Sequence, residues 1–358
     1  MLRAGEAVLR ARAAKAKERG SGARLLLFIA SVYAVLLAGL WMPVFLGFYT
    51  PPMAFPPAVW HLHELLFALA PAFLVGLVLA ALAQSGARPV SGGALALLLV
   101  LWLAGRIAFV YSAHIGTGMV TAIDLGFPLL ALAVLGRRLF ARADRTKLIL
   151  FVAGLFFFAA QILFDWEIWR FGRALNGHLI ALAALLGLFV IHGRAIDPHV
   201  FRRRDGGARP LAAMAEAGYL FTALGLLFAG FAVFFPHAGF DDAALRAWLS
   251  GAITLALLAG TLRFALARSA PRGSCRWLAW TISALVLVSA VADIALALAP
   301  QFTLVLLPLA GLARMAAFST IAVRLVLDHP RGSRMSEQGS ENWLSGKLLK
   351  STRRKTGP

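Results

Sequence analysis

A single cysteine, Cys275, stands among the 358 residues. That excludes an intramolecular disulfide framework, a four-cysteine zinc or iron–sulfur site and a Cys-x-x-Cys-His haem attachment. Any metal must be held by His, Asp, Glu or Met. Acidic residues are also scarce, 16 Asp and Glu against 35 Lys and Arg, which leaves a formal charge of +19. There is no phosphate-binding glycine loop and no hydrolase nucleophile motif, and no inverted repeat can be read, which argues against an ATP-driven pump. Apolar and polar residues do not alternate along the apolar runs, which excludes a transmembrane barrel. No small-residue cleavage pattern follows the first apolar run, so no cleavable signal peptide is read.

What the chain does have is apolar sequence: 60% of it is hydrophobic and the mean hydropathy is +0.80. Crossing ~30 Å of hydrocarbon takes about 18 or more apolar residues as a helix. Inside lipid only helices and closed barrels satisfy the backbone. The pattern therefore predicts an all-α polytopic transmembrane helical bundle of about ten spans. These are read at 24–48, 58–84, 92–112, 116–136, 147–166, 176–196, 211–235, 247–268, 276–299 and 302–327. Residues 1–23 form a basic segment suited to anionic lipid, 24–329 the transmembrane domain, and 330–358 a polar, basic tail expected to be disordered.

Positive charge falls on every second connection. It is dense in the N-terminal arm, at Arg88, from Arg137 to Lys147, from Arg202 to Arg209, from Arg268 to Arg276, and in the tail. The intervening connections, around Thr50, His114 and Pro300, carry no Lys or Arg, and two others are mixed. Cytoplasmic loops are the ones that gather Lys and Arg. Both termini are therefore expected on the cytoplasmic side. The same bias accounts for the net charge, so the expected partner is membrane lipid and not nucleic acid.

The string Pro56-Pro57-Ala58-Val59-Trp60-His61-Leu62-His63-Glu64 opens the second span at its outer end. Residues two apart on a helix point to nearly opposite sides. His61 and His63 therefore do not grip one metal from regular helix. His61 and Glu64, three apart, can meet, with Glu64 orienting the imidazole. His63 then faces a different helix or a different cofactor. His61, His63, His114, His178 and His237 all fall on the outer side, and His192, His199 and His329 on the inner. A one-sided histidine cluster suits haem iron or copper; an interfacial polar belt is the other reading. Ionisable residues inside spans are costly and mark function. Arg106 and Asp124 lie at similar depth beside a tight turn, so they either pair or leave Arg106 to a haem carboxylate. Asp293 and Arg314 form a second candidate pair. Gln161 and Asp165 lie near the outer end of the fifth span. Such residues would also suit the path of a small-ion permease.

At Trp60-His61-Leu62-His63-Glu64-Leu65-Leu66-Phe67 the chain resembles the NnrS family, whose members carry a tryptophan–histidine–x–histidine–glutamate string leading into a span. The likeness continues at Leu101–Arg106, at Ile123–Phe127 and at Gly193-Arg194-Ala195-Ile196-Asp197-Pro198, and more faintly at Ala247–Ile253. The resemblance implies a polytopic inner-membrane protein tied to nitric oxide, nitrosative stress and denitrification. It implies haem, with copper as a further cofactor, and nitric oxide as a partner. It implies His61 and His63 as ligands, with Arg106 and Arg194 as supports; the outer-side cluster adds His178 and His114 as metal candidates, and the helix spacing adds Glu64 beside the cofactor. Arg246, Arg268 and Asp165 stand where the family has histidine, and ten spans stand where it typically has twelve; both imply a reduced metal load.

Overall fold

The computed structural model describes residues 20–85, 90, 92–140, 145–195, 208–266 and 272–327. The basic arm before residue 20, the tail after 327, and His199 and His329 lie outside the described residues. Among the described residues ten long helices follow one another: α1 Ser21–Phe45, α2 Pro57–Gln84, α3 Gly93–Val110, α4 Thr117–Phe140, α5 Arg145–Phe171, α6 Gly177–Ala195, α7 Ala208–Phe234, α8 Phe240–Leu266, α9 Arg272–Leu298 and α10 Thr303–Leu327. No strand occurs among the described residues. Each expected span has its helix.

Nine of these helices are long and apolar enough to cross a membrane. In α6 the apolar stretch Gly177–Ile191 is shorter; at 1.5 Å per residue it covers ~22 Å. α8 begins at Phe240, well before the expected 247. Gly239 reverses the chain with φ 74°, and Asp241 and Asp242 sit in the first turn, where carboxylates favour a helix start. Hydropathy alone discounts that acidic turn.

α2 and α8 are the most enclosed helices and touch each other. Around them α1 packs on α10, α10 on α9, α3 on α4, α4 on α5 and α5 on α6, while α7 runs along α8. Both enclosed helices widen into a π turn seven residues after their start, Glu64–Leu69 in α2 and Ala247–Ile253 in α8. Widened turns release backbone carbonyls from the regular ladder. Here the Trp102 indole donates to Ala68 O at 3.1 Å, while Leu249 O accepts both the backbone N–H of Thr254 and, at 2.8 Å, its hydroxyl.

The order repeats. In α1–α4 and again in α7–α10, the second helix carries the π turn, and the third and fourth carry an arginine–aspartate pair. Corresponding helices are six places apart in the chain, an even number, so they run the same way. This correspondence is parallel, which a search for inverted repeats does not detect.

Candidate functional site

The first polar site is built on the π turn of α2. Glu64 opens that turn, and its Oε2 accepts from Arg106 Nη1 of α3 at 2.6 Å and from the Tyr33 hydroxyl of α1. Arg106 also donates from Nη2 to Asp124 Oδ1 of α4. Asp124 Oδ2 accepts from Gln161 Nε2 of α5 at 2.6 Å and lies 3.1 Å from His63 Nε2. Asp165, one turn further along α5, brings Oδ1 to 3.9 Å from the same His63 nitrogen. His63, Glu64 and Gln161 are wholly buried, and Arg106 is 6% exposed. Gly105 makes the α3–α4 approach feasible: a Cβ there would fall 2.6 Å from Asp124 Oδ1.

Aromatic rings seal this site. Phe109 stacks on the His63 imidazole at 3.7 Å and 17°, with Phe67 and Phe164 tilted around it. Tyr33 meets Trp102 edge-on at 5.0 Å. Three carboxylates share one guanidinium and one imidazole. With His63 neutral and every acid ionised the set carries −2, so neutrality needs two protons held among His63 and the carboxylates. Both Asp165 oxygens, Glu64 Oε1 and His63 Nδ1 lack hydrogen-bond partners. The arrangement has the means to hold and pass protons, since unmatched acceptors lie within 4 Å of the imidazole.

The second site repeats the first with the signs exchanged. Glu64, Arg106 and Asp124 run minus, plus, minus along α2, α3 and α4. Arg246, Asp293 and Arg314 run plus, minus, plus along α8, α9 and α10. Asp293 Oδ2 accepts from the Ser250 hydroxyl at 2.5 Å and from Arg314 Nη2; Arg246 Nη1 is 3.8 Å from Oδ1.

The two histidines of the opening string part company, as their spacing requires. His63 enters the first site. His61 stacks on Trp41 of α1 at 4.0 Å and 8°, with Arg314 and Arg246 in electrostatic reach and its Nδ1 without a hydrogen-bond partner. Glu64 does not serve His61. Its Oε2 takes a full charge from Arg106 and a hydroxyl from Tyr33, which outweigh a neighbour on its own helix.

The expected ligand set His61, His63, His114 and His178 is not assembled. Among the described residues no three His, Cys, Asp or Glu side chains are grouped to hold a metal ion. His114 lies on the exposed turn Ser112–Ile115, and His178 opens α6. Beside it, Glu167 accepts the backbone N–H groups of Leu175, Asn176 and Gly177 at 2.8, 2.8 and 3.0 Å. Arg194 and His192 lie on α6, but their side chains are outside the described residues. Tyr33 and Trp41 escaped the sequence reading. The available signal was a tyrosine inside an apolar span, one of only four in the chain.

A helical, multi-pass membrane protein with polar sites buried at its two enclosed helices is the class that this fold defines. Residues 20–205, just over half of the chain, match the NnrS protein family, and the chain belongs to that family. The matched stretch takes in α1–α6 and with them the first site. Neither the curated proteins nor the solved structures contain a significant match.

Proposed function

We propose that this protein serves the bacterial response to nitric oxide and nitrosative stress, including that of denitrification, from the inner membrane, and that it binds haem through His61. The observation that carries this reading is the His61 ring itself. It is 9% exposed, has an unpartnered Nδ1, stacks on Trp41 and lies within electrostatic reach of two arginines near the start of α2. Neutral imidazole is the commonest protein ligand of haem iron. His63 does not fit that role, since Asp124 engages its Nε2 and the side chain is wholly buried. Among the described residues no three donor side chains are grouped for a copper centre. Haem, when bound, supplies an iron that takes nitric oxide. The chain supplies the His61 imidazole and the Trp41 ring that fixes its plane.

The test is the optical spectrum of protein purified after haem-replete expression, before and after nitric oxide. Wild type shows a haem band that nitric oxide shifts. His61→Ala removes the band, and His237→Ala, at an exposed position, keeps it. A colourless wild type, or an unchanged band in His61→Ala, refutes the assignment.

A further inference from the structure

The second polar site lies outside the residues that match the family, and its charges do not balance. Arg246 and Arg314 face one carboxylate, Asp293. Asp293 Oδ2 is already taken by Ser250 and Arg314. Arg246 comes no nearer than 3.8 Å to Oδ1, and makes no hydrogen bond among the described residues. With His61 neutral, the set keeps one positive charge unmatched. An uncompensated guanidinium within a span is expensive.

We infer that Arg246 and Arg314 form a binding site for a carboxylate or a small oxyanion. Three observations agree. First, the guanidinium fork matches a carboxylate or oxyanion through parallel N–H bonds. Second, Arg246 of α8 and Arg314 of α10 converge on the single carboxylate of Asp293, which puts both guanidiniums at one place in the bundle. Third, the site is open where its counterpart is closed: the Arg246 side chain is 28% exposed and that of Arg314 11%, against 7% for Arg106 and at most 1% for Glu64 and Asp124. A ligand can reach the second site without unfolding the bundle. Sign inversion makes the specificity plain. The first site has acid in excess and takes protons; the second has base in excess and takes an anion. The carboxylate can be free or can be borne by the haem proposed above.

The experiment has two arms on the full chain in detergent. In the first, sodium acetate and sodium nitrate are titrated by calorimetry against chloride at equal ionic strength. In the second, haem is titrated by absorbance beside haem dimethyl ester, which lacks free carboxylates. Arg246→Gln weakens binding tenfold or more in the arm that reports the natural source. Asp293→Asn removes the countercharge, retains a hydrogen-bonding amide and strengthens binding several-fold, which a misfolded variant cannot do. Arg263→Gln, exposed and further along α8, leaves binding unchanged. Binding of acetate or nitrate that depends on Arg246 identifies a free anion. A tenfold loss on esterification that matches the loss in Arg246→Gln identifies haem carboxylates. The inference is overturned if neither the free anions nor the haem carboxylates distinguish wild type from Arg246→Gln. Acetate binding without any haem band refutes only the haem reading.

Discussion

Removing Arg106 strands two carboxylates inside the bundle. In Arg106→Gln the side chain keeps a polar end but loses the charge that joins Glu64 and Asp124. A charge-assisted hydrogen bond contributes ~1.5–3 kcal/mol, so two give about 3–6 kcal/mol. Breaking a buried pair from one side costs ~3–5 kcal/mol. Within a bilayer the unfolded chain also finds partners, which lowers such values. A loss of about 3 kcal/mol is therefore expected, a large part of the ~5–15 kcal/mol that holds a protein folded. At roughly 2–4 °C per kcal/mol for a large domain, the melting temperature falls by about 6 °C or more. Tryptophan fluorescence on heating in detergent reads it. Adding Glu64→Gln tests the cause. The amide introduced by that change still accepts the Tyr33 hydroxyl but carries no charge, so the double variant is more stable than Arg106→Gln alone. The reasoning fails if Arg106→Gln lies within ~0.5 kcal/mol of wild type, or if Glu64→Gln adds a further loss in that background.

Gly105→Ala places a Cβ 2.6 Å from Asp124 Oδ1 and 3.3 Å from its Cα. The helices must separate, at about 1–3 kcal/mol for overpacking, and a lower melting temperature for Gly105→Ala than for the open position Gly118→Ala checks it. Glu167→Ala frees the three N–H groups before and at the start of α6. A lost cap of this kind costs ~1–2 kcal/mol, and faster hydrogen exchange at residues 175–177 is the expected readout.

The spans were legible because a bilayer leaves the chain few options. A helix must be long and apolar, and α6 is the case where length falls short. The pair Arg106–Asp124 was legible for a geometric reason: the tight turn around Ser112–Ile115 puts both at one depth. Asp293 and Arg314 follow the same logic across the turn at Pro300–Phe302. What the sequence concealed was which helix answers which. Glu64 looked like a partner for His61 because spacing rules see one helix at a time. Its partners are on α3 and α1, and a guanidinium from another helix outranks a neutral neighbour. The π turns were also hidden. They arise in ordinary apolar text, ELLFAL and AWLSGAI, and in the first of them the Trp102 indole of α3 takes the Ala68 carbonyl, a contact that no spacing rule reveals.

The sign inversion explains why each aspartate–arginine pair runs in its own order. In each set the residue on the π-turn helix decides. Glu64 on α2 calls for a cation on α3, and Arg106 then calls for an anion on α4. Arg246 on α8 calls for an anion on α9, and Asp293 for a cation on α10. Reversing one pair alone would set like charges beside Glu64 or Arg246, which low dielectric makes intolerable. The three-residue sets carry −1 and +1. α2 meets both, because His61 and His63 leave it on opposite sides: His63 goes to the acid-rich set and His61 to the base-rich one. The histidine–x–histidine spacing thus serves as a bridge between two unlike sites rather than as two teeth of one metal grip.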